Sequence, residues 1–436
     1  MASAATMATA VPVTRARPMD LSAALRLQLE RQVSHWEAAG LGLTDPASFA
    51  SPTAWASLER YLDRAVRTSL AASTERLRRE VSGLRTQLDN ATTQAQLLEV
   101  ARRLQRVRRL HGQVETVVTF FTDAVNTRTN TTLGTHLRAL DRIALASMAS
   151  ALIPLGVPVP PVLTYVDRGL GAAIMRAGVR LWDGQLSPAA AIKVTRHNLY
   201  RPSALVHETG HQVAHLIGWN RQAEASLRDV LGDDPELAAI WASWTSEITA
   251  DCFAFVHCGY AAVAALHDVV ANEIETVLQF SAGDPHPVSY IRVLLGVAMC
   301  RDAYGSGPWD DLAAAWVALH PLTSARPALA RLLLRSTERL PALVTALLRR
   351  ELPCFGARSL TTLINPQRVS PAALESVRVT AGPSLFTSPH VAASDPMRVV
   401  ALTGLQIATD PRRTTQYVQD FARFTQTLGG ELAAAA

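Results

Sequence analysis

The chain has 436 residues, 48% of them hydrophobic and 18% charged, with 23 glycines and 24 prolines. These proportions exclude a collagen-like, low-complexity or largely disordered protein, and the length predicts two or three domains. The formal net charge is +5, yet Lys193 is the only lysine, so arginine supplies all but one of the 42 basic residues. We read that bias as compositional and expect no nucleic-acid partner.

Residues 1–20 carry small and a few basic residues but no continuous apolar block, so a disordered leader is expected there and not a signal peptide. From about Leu58 to Leu88 apolar residues recur in a heptad-like stripe, which predicts one long amphipathic helix. Turn and capping residues at Asp89-Asn90-Ala91-Thr92-Thr93 interrupt it. A second stripe from Leu97 to Phe121 then predicts an antiparallel partner, and a third helix is expected over about 133–153. The arginines flanking the second stripe (Arg102, Arg103, Arg106, Arg108, Arg109) have no aromatic residues interleaved to stack bases, which favours a solvated face. A protein partner for these N-terminal helices is the remaining possibility.

The run Pro154-Leu155-Gly156-Val157-Pro158-Val159-Pro160-Pro161 cannot continue a helix and marks the expected domain boundary. It also cuts the charge-free stretch Ile143–Val166 well short of the roughly 20 apolar residues a membrane span needs. No integral membrane segment is expected. After it, Val162–Asp167, Gly178–Trp182 and Ala190–Arg196 read as strands of a small sheet. A helix is expected from Pro202-Ser203 to about Ile217, ended by Gly218. A further helix is expected from about Pro235, and the chain after Thr323 reads as mostly helical to Glu351, then mixed. The expected organisation is a leader (1–20), a helical bundle (21–153), a second domain with the small sheet (154–322) and a mostly helical C-terminal region (323–436). Cys252, Cys258, Cys300 and Cys354 form no CxxC pair and no disulfide scaffold, so a reducing compartment is expected. The default is cytoplasmic, with export through a dedicated machinery left open.

The chemistry lies in His207-Glu208-Thr209-Gly210-His211, an HExxH motif on the helix that starts at Pro202. Residues i and i+4 share a helix face, so both imidazoles can reach one zinc ion while Glu208 stands beside it to activate water. A catalytic zinc takes three protein ligands and leaves one position for water. His215 lies roughly 12 Å along the same helix from His207 and cannot be the third. Glu247 is the better candidate, because Glu247 and Asp251 also stand four apart, in an otherwise apolar run. Glu247 can then ligate zinc while Asp251 accepts the free ring N–H of a ligand imidazole, expected to be His207. Cys252 and Cys258, and Trp241, Trp244, Trp309 and Trp316, are expected in the core.

HExxH followed by ExxxD and then by Asp284-Pro285-His286-Pro287-Val288-Ser289-Tyr290-Ile291-Arg292, an HPxxxxR stretch, resembles the gluzincin zinc metallopeptidases. In motif order the chain is most similar to the CAAX prenyl protease and heat-shock membrane protease type, over roughly residues 194–295. The resemblance implies a zincin-like α+β peptidase domain, mainly α with a small β-sheet. It also implies one zinc on His207, His211 and Glu247, Glu208 as base, Asp251 behind the ligands, and His286 or Arg292 near the active site. Either could donate to the oxyanion; Arg292 could equally form an internal ion pair that holds the active-site helices together. Peptide or protein is the implied substrate. Since the chain has no membrane segment, a prenylated or membrane-embedded substrate is not implied. Two other readings are a catalytically silent zincin-like binding protein and a helical interaction or effector protein in which HExxH is accidental.

Overall fold

A computed structural model of the protein describes residues 21–63, 65–167, 173–175, 187 and 189–430. These residues are mainly helical, with one small sheet, and they fall into two compact units. Among the described residues, the first unit takes in 21–52 and 65–121, and the second 53–63, 122–167, 173–175, 187 and 189–430.

In the first unit, α1 (Leu21–Leu41) packs against α3 (Val66–Asp89). The stripe Leu70, Leu77, Val81, Leu84 and Leu88 is buried there, as its spacing on one face requires. α4 (Gln94–Thr129) returns alongside α3: its Arg103 donates to Gly83 O and Gln87 Oε1 and pairs with Glu80. The predicted hairpin is therefore present. The single helix expected from Leu58 to Leu88 is not, because α2 (Pro52–Leu62) ends at Asp63, whose φ of 49° is left-handed and cannot continue a right-handed helix. Leu58 and Leu62 accordingly belong to the second unit.

In the second unit, α5 (Thr131–Leu152) begins at Asn130, whose side chain accepts from Leu133 N. Next come β1 (Val162–Val166), β2 (Ala173–Met175) and β3 (Ala190–Val194). β3 is central, parallel to β1 with Val162 opposite Ala190 and antiparallel to β2 with Ile174 opposite Ile192. The expected strand Gly178–Trp182 lies outside the described residues, as does the expected leader. Asp141 of α5, fully buried, ties the sheet down: it accepts from Thr164 N and Oγ1, each at 2.7 Å, and pairs with Arg128 at 2.8 Å.

α6 (Ser203–Ile217) ends at Gly218, with φ 68°, where α7 (Trp219–Val230) begins. α8 (Pro235–Ser243), capped by the Asp234 side chain on Leu237 N, is followed by α9 (Thr245–Cys258). The helix expected from Pro235 is thus two, broken at Trp244, whose N–H bonds back to Trp241 O at 3.2 Å instead of continuing the i to i−4 ladder. Glu247 consequently sits in the first turn of α9. α10 (Tyr260–Val270), the short α11 (Ile274–Val277), α12 (Ser289–Tyr304), α13 (Pro308–Leu319) and α14 (Pro327–Val344) follow. The C-terminal part holds α15 (Leu360–Leu363), α16 (Pro371–Ala381), α17 (Pro389–Ser394), α18 (Pro396–Thr409) and α19 (Thr414–Gly429).

The packing of the second unit does not follow the partition 21–153, 154–322 and 323–436. α5 packs on α6 and α19, α14 on α12, and α18 on α9 and α10, so one continuous core joins residues expected in three domains. Trp241, Trp244, Trp309 and Trp316 are all in that core, and Cys252, Cys258 and Cys300 are buried free thiols.

Candidate metal centre

α6 and α9 cross at Gly210, the fourth residue of the HExxH motif. A Cβ placed there would stand 2.9 Å from both Ala250 Cα and Phe253 Cβ, closer than carbon atoms can approach. The missing side chain lets the two backbones meet, and the contact brings the Glu247–Asp251 face of α9 onto the His207–His211 face of α6. His207 Nε2 lies 3.4 Å from Glu247 Oε2 and His211 Nε2 3.3 Å from Glu247 Oε1. One donor atom from each of the three residues falls within 4.8 Å of the others, the one such group among the described residues.

The donor set suits zinc. Two imidazole nitrogens and a carboxylate oxygen are its usual hard and borderline ligands, and metal–ligand bonds near 2.0–2.1 Å in a tetrahedron separate ligand atoms by roughly 3.3–3.4 Å. His207 and His211 approach different oxygens of Glu247, and single donor atoms from the three residues lie within 4.8 Å of one another, close enough for a zinc ion to draw them together. Each imidazole is also held from behind. His207 Nδ1 donates to Asp251 Oδ1 at 2.9 Å, and His211 Nδ1 shares a hydrogen bond with Ser246 Oγ at 3.3 Å, so both rings turn Nε2 toward Glu247. The rings are perpendicular, with centroids 4.8 Å apart.

Arg292, on α12, reaches under the cluster. Its Nε donates to Asp251 Oδ2 at 2.7 Å, and its Nη2 to Asp251 Oδ1 at 2.9 Å and Glu247 Oε2 at 3.1 Å. Of the two roles open to this residue, internal ion pair and oxyanion donor, the geometry is that of the ion pair. His286 stands at the rim, 57% exposed, with Nε2 3.7 Å from Glu247 Oε2 and Nδ1 2.7 Å from Asp284 Oδ1. His215 is exposed on α6 and outside the cluster.

Charge follows from these contacts. Burial alone would lower the His207 imidazole, but its bonds to Asp251 and Glu247 outweigh this and lift it to about 9. Burial would raise Glu247, yet hydrogen bonds from both histidines and the Arg292 charge hold it well below the usual carboxylate range. Asp251 is likewise held down, by Arg292 and His207 acting against burial. Glu208 moves the other way: burial raises it, and the neighbouring cations only partly offset that. The site therefore holds two fixed carboxylates and one carboxyl shifted toward neutrality, the division of labour expected where one group ligates and another exchanges protons.

Apart from Asp284 and His215, these side chains line one cavity of about 720 Å³, which Ile174 of β2 and Asn198 also border. That volume suits a ligand of several groups and far exceeds a water. Ser246, Asp284 and Gly210 are the site residues that motif reading passed over. Ser246 adjoins Glu247 and Asp284 lies two before His286, but neither spacing carries a signal, since the partner in each case is fixed by where loops and helices meet. Comparison with protein families, curated proteins and solved structures returned no match.

Proposed function

We propose that the protein is a zinc-dependent peptidase of gluzincin type, with His207, His211 and Glu247 as zinc ligands and Glu208 as general base. The observation that carries this reading is the convergence of two imidazoles and one carboxylate, with donor atoms within 4.8 Å of one another, beside the buried Glu208 carboxyl and inside a cavity. When bound, zinc would supply Lewis-acid polarisation of a carbonyl and a more acidic water.

The chain's own residues do the rest. Glu208, with its raised proton affinity, takes a proton from the attacking water and returns it to the leaving amine. His286, held at Nδ1 by Asp284, lines the cavity with its ring in place to donate to a tetrahedral oxyanion. Asp251, Ser246 and Arg292 keep the ligands in register and touch no substrate. Nothing in this arrangement calls for a membrane.

The test is metal content by elemental analysis of the purified protein alongside peptide hydrolysis. One zinc per chain is expected, lost in His211→Ala and Glu247→Ala and kept in His215→Ala. Glu208→Gln should keep the zinc and hydrolyse peptides about 10²–10⁴-fold more slowly. Zinc retained in Glu247→Ala, or full activity in Glu208→Gln, would reject the assignment.

A further inference from the structure

The first turn of α6 is buried and uncapped. Pro202, Ser203 and Leu205 are buried, no side chain accepts from the start of the helix, and the N–H groups of Ser203, Ala204 and Leu205 find no acceptor among the described residues. A helix start shut off in this way ordinarily takes a side-chain cap, a water or a ligand. Two polar side chains at the same place also lack a partner among the described residues. Ser203, 7% exposed, lines the cavity with no hydrogen bond to its hydroxyl. Asn198, 8% exposed in the short 3-10 turn Arg196–Asn198, borders the same cavity and leaves Nδ2 without an acceptor. Ala204 and His207, which line the cavity beside them, are only half-buried, so the open space reaches this turn.

We infer that the start of α6 is a subsite for a carboxylate of the substrate. The inference rests on the peptidase reading above. Free backbone N–H groups and the positive end of the dipole of a 15-residue helix favour an anion, and the Ser203 hydroxyl and the Asn198 amide add donors. The carboxylates already in the cavity leave room for it, because Glu247 and Asp251 are both paired with Arg292 and His207. On α10, Ala265 and Leu266 border the cavity and bring no competing charge. Ser203 precedes His207 by four residues, about 6 Å or roughly one turn. An extended peptide advances about 3.3–3.6 Å per residue, which sets the carboxylate one or two residues from the scissile bond. Its source is then an Asp or Glu side chain, or the free C-terminus of a peptide cut close to its end.

The experiment is hydrolysis of quenched fluorescent peptides by the full-length, zinc-loaded protein, in two arms. In one, both termini are blocked and Glu or Asp is exchanged for Gln or Asn at each position within two residues of the cut. In the other, uncharged peptides end in a free acid or an amide. One arm should show kcat/KM about 10–100-fold higher for the carboxylate than for its amide, the contribution of one charge-assisted hydrogen bond, and that arm identifies the source. Ser203→Ala, with zinc content as its folding control, should shrink the ratio about tenfold. An unchanged ratio would mean that the carboxylate binds elsewhere, the metal included, and would overturn the subsite, as would cleavage with no preference in either arm. Fluorescence polarisation of fluorescein-labelled Glu and free-acid peptides against their amide counterparts, on metal-free protein, reads binding without turnover. A tenfold preference is expected there too, and its absence counts against the subsite. If that preference is present but zinc-loaded protein cleaves no peptide, the peptidase reading falls and a carboxylate-binding site remains.

Discussion

Arg292→Met is the sharpest probe of how the site is held together. The guanidinium makes three hydrogen bonds of 2.7, 2.9 and 3.1 Å to two buried carboxylates. Charge-assisted bonds contribute about 1.5–3 kcal/mol each, but two of these share Asp251 and cannot be summed independently. Removing one partner of a buried ion pair, which strands the other, costs about 3–5 kcal/mol, and that is the loss we expect here. Methionine keeps the aliphatic volume, so cavity formation adds little. The assay is urea unfolding of chelated protein, followed through the transition of the unit that carries the site. Arg292→Lys should recover only part of the loss, because an ammonium cannot span Asp251 and Glu247 as the planar fork does. A loss below about 1 kcal/mol, joined to a drop in kcat of about 10²–10³-fold at full zinc content, would refute the ion-pair role and make Arg292 an oxyanion donor instead.

Ser246→Ala frees the back of His211 and should weaken zinc binding by about tenfold, the lower end for losing a hydrogen bond behind a ligand, measured by competition with a chelating dye. Ser246→Thr should restore it; unchanged affinity in the alanine variant would show that the 3.3 Å contact orients nothing. Gly210→Ala gains about 1 kcal/mol of helix propensity but forces α6 and α9 apart at a cost of about 1–3 kcal/mol. Its net stability loss should therefore be about 0–2 kcal/mol, while its zinc affinity should fall about tenfold or more; wild-type affinity would mean that the crossing does not set the ligand geometry. His257 is buried neutral, with Nδ1 on Phe253 O at 2.9 Å and Nε2 2.7 Å from Ser150 Oγ, and burial lowers it to about 4. Its folded value lies below the unfolded 6.5, so its contribution is complete above pH 6.5 and is lost as pH falls toward 4. Moving from pH 7.5 to 5 should remove about 2 kcal/mol through this residue. In urea titrations at the two values, His257→Gln should lack that part of the acid sensitivity, and identical pH dependence of the two proteins would contradict it.

Some of this site is written in short-range spacing. His207 and His211 share a face because an α-helix repeats every 3.6 residues, whatever else the chain does, and the same holds for Glu247 and Asp251. The caps that set α5 and α6, Asn130 and Gly218, are equally local, and so is the buried stripe from Leu70 to Leu88. The breaks at Asp63 and Trp244 were not legible, because each interrupts an apolar periodicity that continues across it, and the periodicity alone describes one helix.

Which faces meet is a different kind of fact. It took the packed core to bring α9 onto α6 at Gly210, to run α12 beneath both so that Arg292 closes on Asp251 and Glu247, and to set Ser246 behind His211. α14, α18 and α19, which look like a separate C-terminal region, complete the core around those helices. Local periodicity determined the candidate ligands and the helix faces that carry them. Contacts between residues distant in sequence are set by how whole surfaces exclude water and fit one another, and they decided that these faces form one site.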